Sequence, residues 1–323
     1  MDRRQPAGAR GGLVELDAGL TIMTATPAPG SAAAAVQGPG PVRRRPRNPG
    51  AGLAWLFLAP AVLAVLVFFV VPMAAIIWRS FSEPELGVDH YVRVFSDGLT
   101  MTVLWRTFRT AVLITALTLL LAYPYAYAMS IAKPRLRTLL LALVMVPFWL
   151  SILTRTFAWV VILARGGPVN QFAQSLGLPE FTLLHSVAGA TLGMVQVLLP
   201  FMVLPLYSAM VQIDRNLVTA AVSLGARRWT ALRTVFIPLS LPGVVAGVTL
   251  LFVLSLGFYI TPQLLGSPQD ALIAQLIGIR VMQLRDFAGA GAVSLVLVLV
   301  CAVLLLLVSR VVRVSSLIGG VSR

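Results

Sequence analysis

One lysine, one cysteine and two histidines occur among 323 residues, and each scarcity removes a class of chemistry. A phosphate-cradling loop needs Gly-x4-Gly-Lys-Ser/Thr, because the lysine and the loop's backbone N–H groups hold the phosphates. The sole lysine, Lys133, follows Met129, Ser130, Ile131 and Ala132, so no such loop exists and no cofactor or nucleotide site is expected in this chain. Cys301 stands alone in an apolar run, which excludes an internal disulfide and suits packing. His90 and His185 lack metal-site spacing and a neighbouring nucleophile, so neither a metal centre nor a catalytic triad is expected. Acids number 11 against 25 Lys and Arg, and none falls in the long uncharged stretches. That removes the buried carboxylates on which an ion-coupled transporter or a membrane enzyme would draw.

What is abundant is apolar. Hydrophobic residues make up 58% of the chain and charged ones 11%, with mean hydropathy +0.91, which places it in a bilayer. Charge is absent from 48–78, 110–132, 138–154, 181–213, 234–269 and 287–309. Crossing a hydrocarbon core about 30 Å thick takes roughly 20 apolar residues, and all but the third gap supply them. The third reaches 138–164 once Arg155 is accepted inside it. The spacing therefore predicts an all-α integral membrane protein with six transmembrane helices at 52–78, 105–131, 138–164, 186–212, 243–265 and 289–310. A barrel would show strands of about ten residues alternating in polarity.

A net charge of +14 raises the question of nucleic acid, and its distribution answers it. The stretches before span one, between spans two and three, between four and five and after six hold 7, 3, 4 and 3 basic residues, 17 of the 25, but only Asp2, Glu15, Asp17 and Asp214 among the acids. This positive-inside asymmetry predicts both termini in the cytoplasm. No basic stripe with interleaved aromatics sits on a soluble fold, so no nucleic-acid partner is expected. Residues 1–50, rich in Ala, Gly and Pro and ending in Arg43, Arg44, Arg45 and Arg47, are expected to form a disordered basic tail touching anionic headgroups. The apolar run after the arginines is too long for a signal peptide, and Met23 is a possible start. Residues 51–315 then form the membrane domain and 316–323 a cytoplasmic tail.

The outer connection 79–104 holds Glu83, Glu85, Asp89 and Asp97 and has room for a short helix. The connection 165–185 carries Gly166, Gly167, Pro168 and Pro179 as turn formers. In 266–287, Leu272, Leu276, Ile279 and Met282 recur at helical spacing, which fits an interfacial or re-entrant helix or a surface helix packed on its neighbours. Pro60, Pro72, Pro124, Pro147, Pro200, Pro205 and Pro262 fall inside spans, where a kink either shapes packing or serves a moving pathway.

The most informative stretch is the polar interruption 214–243, DRNLVTAAVSLGARRWTALRTVFIPLSLPG. Leu217, Ala220, Ala221 and Leu224 share one side of a helix, with two alanines low enough for another protein to approach. Gly225 can take the positive φ that ends a helix, Arg227 and Arg228 stay at the surface, and a second segment runs from Trp229 to Pro238 and Pro242. A helix resting on the bilayer surface is the competing reading of this pattern. Thr219, Ala220, Ala221, three residues, Gly225, nine residues, then Val235, Phe236, Ile237, Pro238 resembles the EAA loop of ABC importer permeases, Glu-Ala-Ala, three residues, Gly, nine residues, Ile-x-Leu-Pro. Thr219 stands where the family has glutamate. The resemblance implies a coupling helix seated in a cleft of an ATPase subunit.

Two further segments, 147–159 (PFWLSILTRTFAW) and 254–266 (LSLGFYITPQLLG), resemble the spermidine/putrescine-type permeases. That likeness implies a binding-protein-dependent importer in the bacterial inner membrane, powered by two ATPase subunits that use ATP and Mg and completed by a second permease and an external solute-binding protein. Related permeases carry phosphonates, opines or ferric iron, so these solutes stay open beside polyamines, as does a self-sufficient secondary transporter or channel. Tyr123 and Tyr127, four apart on span two, and Trp149 and Tyr259 in the two resembling segments could attract an ammonium through their rings or serve as packing. Arg155, about 25 Å along span three at 1.5 Å per residue, either pairs structurally or takes part in gating or passage.

Overall fold

The computed structural model describes residues 51–83 and 86–319, with side chains over 58–83 and 86–310. The expectations for the tail 1–50 and its start lie outside them. The chain divides into Met1–Ala59 and Pro60–Arg323, and the packing below is that of the second unit.

Helices α1 (Ala51–Val65) and α2 (Val71–Ser82) are joined by a π turn, Leu66–Val70, and form the first apolar span. Next come α3 (Asp89–Ser96), α4 (Gly98–Ile131), α5 (Pro134–Trp149), α6 (Ile152–Leu163), α7 (Pro168–Ser175) and α8 (Val187–Val211). After them run α9 (Arg215–Ser223), α10 (Arg228–Ala231), a second π turn (Leu232–Phe236), α11 (Ile237–Leu256), α12 (Ile260–Leu265), α13 (Ile273–Met282) and α14 (Phe287–Gly319). Among the described residues there is no strand, and six helical stretches are long and apolar enough to cross a membrane.

Several boundaries differ from the sequence reading. Span three is broken: Leu150 and Ser151 are extended between α5 and α6, directly after Pro147. Span five ends at Leu256, not 265, and its helix begins ahead of Pro238 and runs through Pro242. Pro238 is accommodated because the preceding turn widens, Ile237 N–H donating to the Leu232 carbonyl. Val71 does the same to Leu66 ahead of Pro72. The 165–185 connection holds α7 as well as turns, with buried Asn170 donating to the Ala164 and Phe181 carbonyls. The connection 79–104 does contain a short helix, α3.

The core lies where α4, α8 and α11 meet. Ile114, Ala122, Ala126 and Met129 of α4 pack against Met194, Leu198, Met202 and Leu206 of α8 and Leu251 of α11. A second cluster joins α3, α4, α13 and α14 through Val94, Val103, Ile273, Leu276 and Val293. In a bilayer such packing depends on close fit, since lipid is as apolar as the side chains. Gly189 answers that need, because a Cβ there would lie 2.2 Å from the Leu183 carbonyl oxygen.

Candidate functional site

The 214–243 loop folds as a capped helix followed by the root of the fifth span. Asp214 caps α9 by accepting from the Asn216 N–H at 2.9 Å. The other end closes in a Schellman turn. Gly225 takes φ +94°, its N–H donates to the Val222 carbonyl at 3.0 Å, and the Ala226 N–H donates to Ala221 at 3.1 Å. A side chain at 225 would meet no atom within 4 Å, so the glycine answers a backbone need and no steric one.

One side of α9 points inward. Val218 packs against the main core, and the Arg215 guanidinium donates to the Ser130 carbonyl near the end of α4. The opposite side is open. Leu217, Thr219, Ala220 and Leu224 are exposed and Ala221 half-buried, and Leu224, at 89% exposure, projects freely. Thr219 turns its hydroxyl to the Arg215 carbonyl of its own helix, 3.2 Å away. Arg227 and Arg228 are exposed beside Trp229. A cavity of about 470 Å³ lies between α8, α9 and α11, lined by Gln212, Ile213, Asp214, Leu217, Leu239 and Pro242. Beneath the loop, Ala231 is buried, Phe236 meets Tyr127 edge-on at 5.1 Å, and the Tyr123 hydroxyl is 2.9 Å from Ser240 Oγ. Exposed apolar groups thus lie over a buried, hydrogen-bonded base that reaches α4 and α11.

The five residues considered for a pathway are not brought together. Tyr123 and Tyr127 belong to the α4–α11 packing. Trp149 stands exposed at the α5–α6 break. Arg155 lies one residue from Thr156, whose hydroxyl meets Thr261 of α12 at 3.2 Å, and its Nε and Nη1 are buried without a partner among the described residues. Tyr259 heads α12 and rests on α13 at Gly278.

Sequence reasoning missed a set of amides. Gln196 accepts from Trp159 Nε1 at 3.3 Å, and buried Gln275 donates to Gln263 at 3.0 Å. Uncharged polar residues inside apolar runs were the available signal. At the end of the bundle away from α9, Arg280 is 2.9 Å from Thr100 Oγ1, 3.7 Å from Asp97 and 3.8 Å from Asp286. Thr107 accepts from the Ile273 N–H at 2.8 Å, and Arg106 donates to the Gln269 carbonyl. The segment 257–286 is thus pinned to α4 at several points.

Residues 117–316 match the family described as binding-protein-dependent transport system inner membrane component. The spermidine/putrescine transport system permease protein PotB of Salmonella typhimurium is 33% identical over 236 residues, 72% of this chain and 82% of that protein. PotB of Escherichia coli is 32% identical over 236 residues, 72% of this chain and 86% of its own length. The molybdenum transport system permease protein ModB of Mycobacterium bovis is 30% identical, covering 78% and 92%. Among solved structures, the bacterial alginate ABC transporter in complex with alginate pentasaccharide-bound periplasmic protein superposes with TM-score 0.65 at 21% identity, covering 81% of this chain and 94% of that one.

Proposed function

The chain belongs to the family of binding-protein-dependent transport system inner membrane components, and on that premise we propose a polyamine such as spermidine or putrescine, or a related small solute, as the cargo it passes. It is the permease subunit of an ABC importer, a multi-pass inner-membrane protein. The identity with PotB over four fifths of that protein's length supports the polyamine reading.

We infer the finer features from the loop and the charge pattern. The permease domain is 51–315, oriented with the basic connections on the cytoplasmic side. The loop 214–242 faces an ATPase, with Leu217, Thr219, Ala220, Ala221, Leu224, Gly225, Arg227, Arg228 and Pro238 forming or shaping the contact. A second permease and an extracytoplasmic solute-binding protein complete the assembly, and ATP and Mg are used by the ATPase, since this chain carries no P-loop lysine. The observation that favours coupling through this loop is α9 itself: capped at both ends, open on its outer side, and tied by Arg215 to the base of α4.

Reconstitution tests the reading. Proteoliposomes holding this chain, the ATPase, the second permease and the binding protein should accumulate polyamine only with ATP. Concentrative uptake by this chain alone would instead establish a self-sufficient transporter.

A further inference from the structure

The helix of the fifth span is interrupted: it stops at Leu256, the chain turns at Gly257, and the six residues of α12 pack against α6 and α8 toward the start of α8. Thr261, Pro262 and Leu265 form the buried side of α12. Tyr259 and Gln263, one helical turn apart, lie on the opposite side and are exposed.

The depth of this side follows from its neighbours. The Leu265 carbonyl accepts from the Ser186 N–H at the start of α8, while Thr261 lies against Gly193, where a Cβ would stand 2.8 Å from its methyl. Gly193 is about 9 Å along α8 from Val187 at 1.5 Å per residue. Tyr259 therefore sits deeper than the start of α8 and Gln263 between the two levels, where an amide left unbonded away from water costs about 1–3 kcal/mol.

The Gln263 amide is also held in one orientation. Gln275, 6% exposed, receives the Leu272 N–H on its Oε1 at 2.7 Å, so its Nε2 must be the group that faces Gln263. That nitrogen donates to Gln263 Oε1 at 3.0 Å, leaving this oxygen a second lone pair. One turn away, the Tyr259 ring is backed by α13 at Gly278, where a Cβ would meet ring Cε2 at 3.0 Å, and the residue keeps 42% of its surface exposed. Arg155 approaches α12 from its other side, beside the Thr156–Thr261 contact, and no acid of this chain lies in an apolar span.

We propose that Gln263 and Tyr259 form a contact site for an ammonium group of the passing solute, with Gln275 as the residue that positions Gln263. An alkylammonium would donate to Gln263 Oε1 and lie against the Tyr259 ring, both favourable to a cation and neither charged. A conduit must bind its cargo firmly enough to admit it and weakly enough to release it, which a neutral amide does better than a carboxylate. The inference rests on the polyamine reading above.

The test uses the complete complex in proteoliposomes, with putrescine and spermidine as probes and both uptake and ATPase activity stimulated by loaded binding protein as readouts. Gln263→Leu and Gln275→Leu should each lower uptake about tenfold, the size of one lost hydrogen bond to a charged group, with stimulated ATPase within about twofold of the unmodified complex. Tyr259→Phe should keep uptake and Tyr259→Leu should lower it about fivefold. Unchanged uptake by Gln263→Leu overturns the site. So does a parallel fall of uptake, ATPase and yield across the variants, which would mark a structural role. An unmodified complex that carries neither probe overturns the polyamine reading, and this site's ligand with it, which is distinct from a variant that carries both normally.

Discussion

The Arg215 guanidinium donates to the Ser130 carbonyl, joining the first residue of α9 to the penultimate residue of α4 across 85 positions of sequence. The bond ties α9 to the end of the second span, and under the coupling proposed above it is a route from the exposed side of α9 to the α4–α8–α11 core. Arg215→Ala should leave assembly with the ATPase intact while lowering solute moved per ATP severalfold, because a charged hydrogen bond contributes about 1.5–3 kcal/mol. Uptake and hydrolysis measured on one proteoliposome preparation check this, and an unchanged ratio would show that the link carries no force.

Gly225 sits at φ +94° with open space around its α-carbon, so the cost of a side chain there is conformational. Gly225→Ala should cost about 1 kcal/mol locally, Gly225→Val more, and Gly225→Asn least, since asparagine tolerates the left-handed region. Insertion and yield should stay normal while co-purification of the ATPase weakens in the order Asn, Ala, Val. Equal recovery across the three would detach the Schellman turn from docking.

Gly225 was legible because its chemistry is local, a left-handed helix end acting on its own backbone; Pro238 as a stop was not, since the widened turn before it lets the fifth-span helix run through it. The helix of 266–287 was legible for the same reason as Gly225, since Leu272, Leu276 and Ile279 repeat at helical spacing. The break at Leu150 and Ser151 was not, since neither residue disfavours a helix strongly. The contacts of Tyr123 with Ser240 and of Thr107 with Ile273 join residues more than 100 positions apart, which no periodicity encodes. For that reason the sequence left Tyr123 and Tyr127 open between pathway and packing, and the Gln263–Gln275 pair went unseen.

Close approach at the start of α8 makes a contrasting pair of substitutions. A Cβ at Gly189 would lie 2.2 Å from the Leu183 backbone oxygen, whereas one at Gly98 meets nothing within 4 Å. Gly189→Ala should destabilise by about 1–3 kcal/mol through displaced backbone, and Gly98→Ala should be neutral or slightly favourable. Thermal unfolding in detergent distinguishes them, and equal melting temperatures would show that the α8 start relaxes freely.

Asp97 caps α4 at the end of the bundle away from α9, accepting from Thr100 Oγ1 at 2.5 Å, from the Leu99 and Thr100 N–H groups at 3.1 and 3.2 Å, and facing Arg280 at 3.7 Å. The Thr100 hydroxyl is the largest influence holding its carboxyl below the ordinary range, helped by the backbone N–H groups and Arg280 and opposed by desolvation. A lowered folded value means that the unfolded chain takes up the proton first. The stabilisation is therefore fully present above the unfolded pKa, about 3.9, and is lost as pH falls through the lower folded value. Asp97→Asn keeps a competent cap, so it should change stability little at pH 7. It should instead flatten the loss of thermal stability on acidification below about pH 4, a difference small in size because the Asp97 side chain keeps 40% of its surface exposed. Melting temperatures of the two proteins followed from pH 7 to pH 3 read this directly, and superimposable acid limbs would remove Asp97 from the acid response.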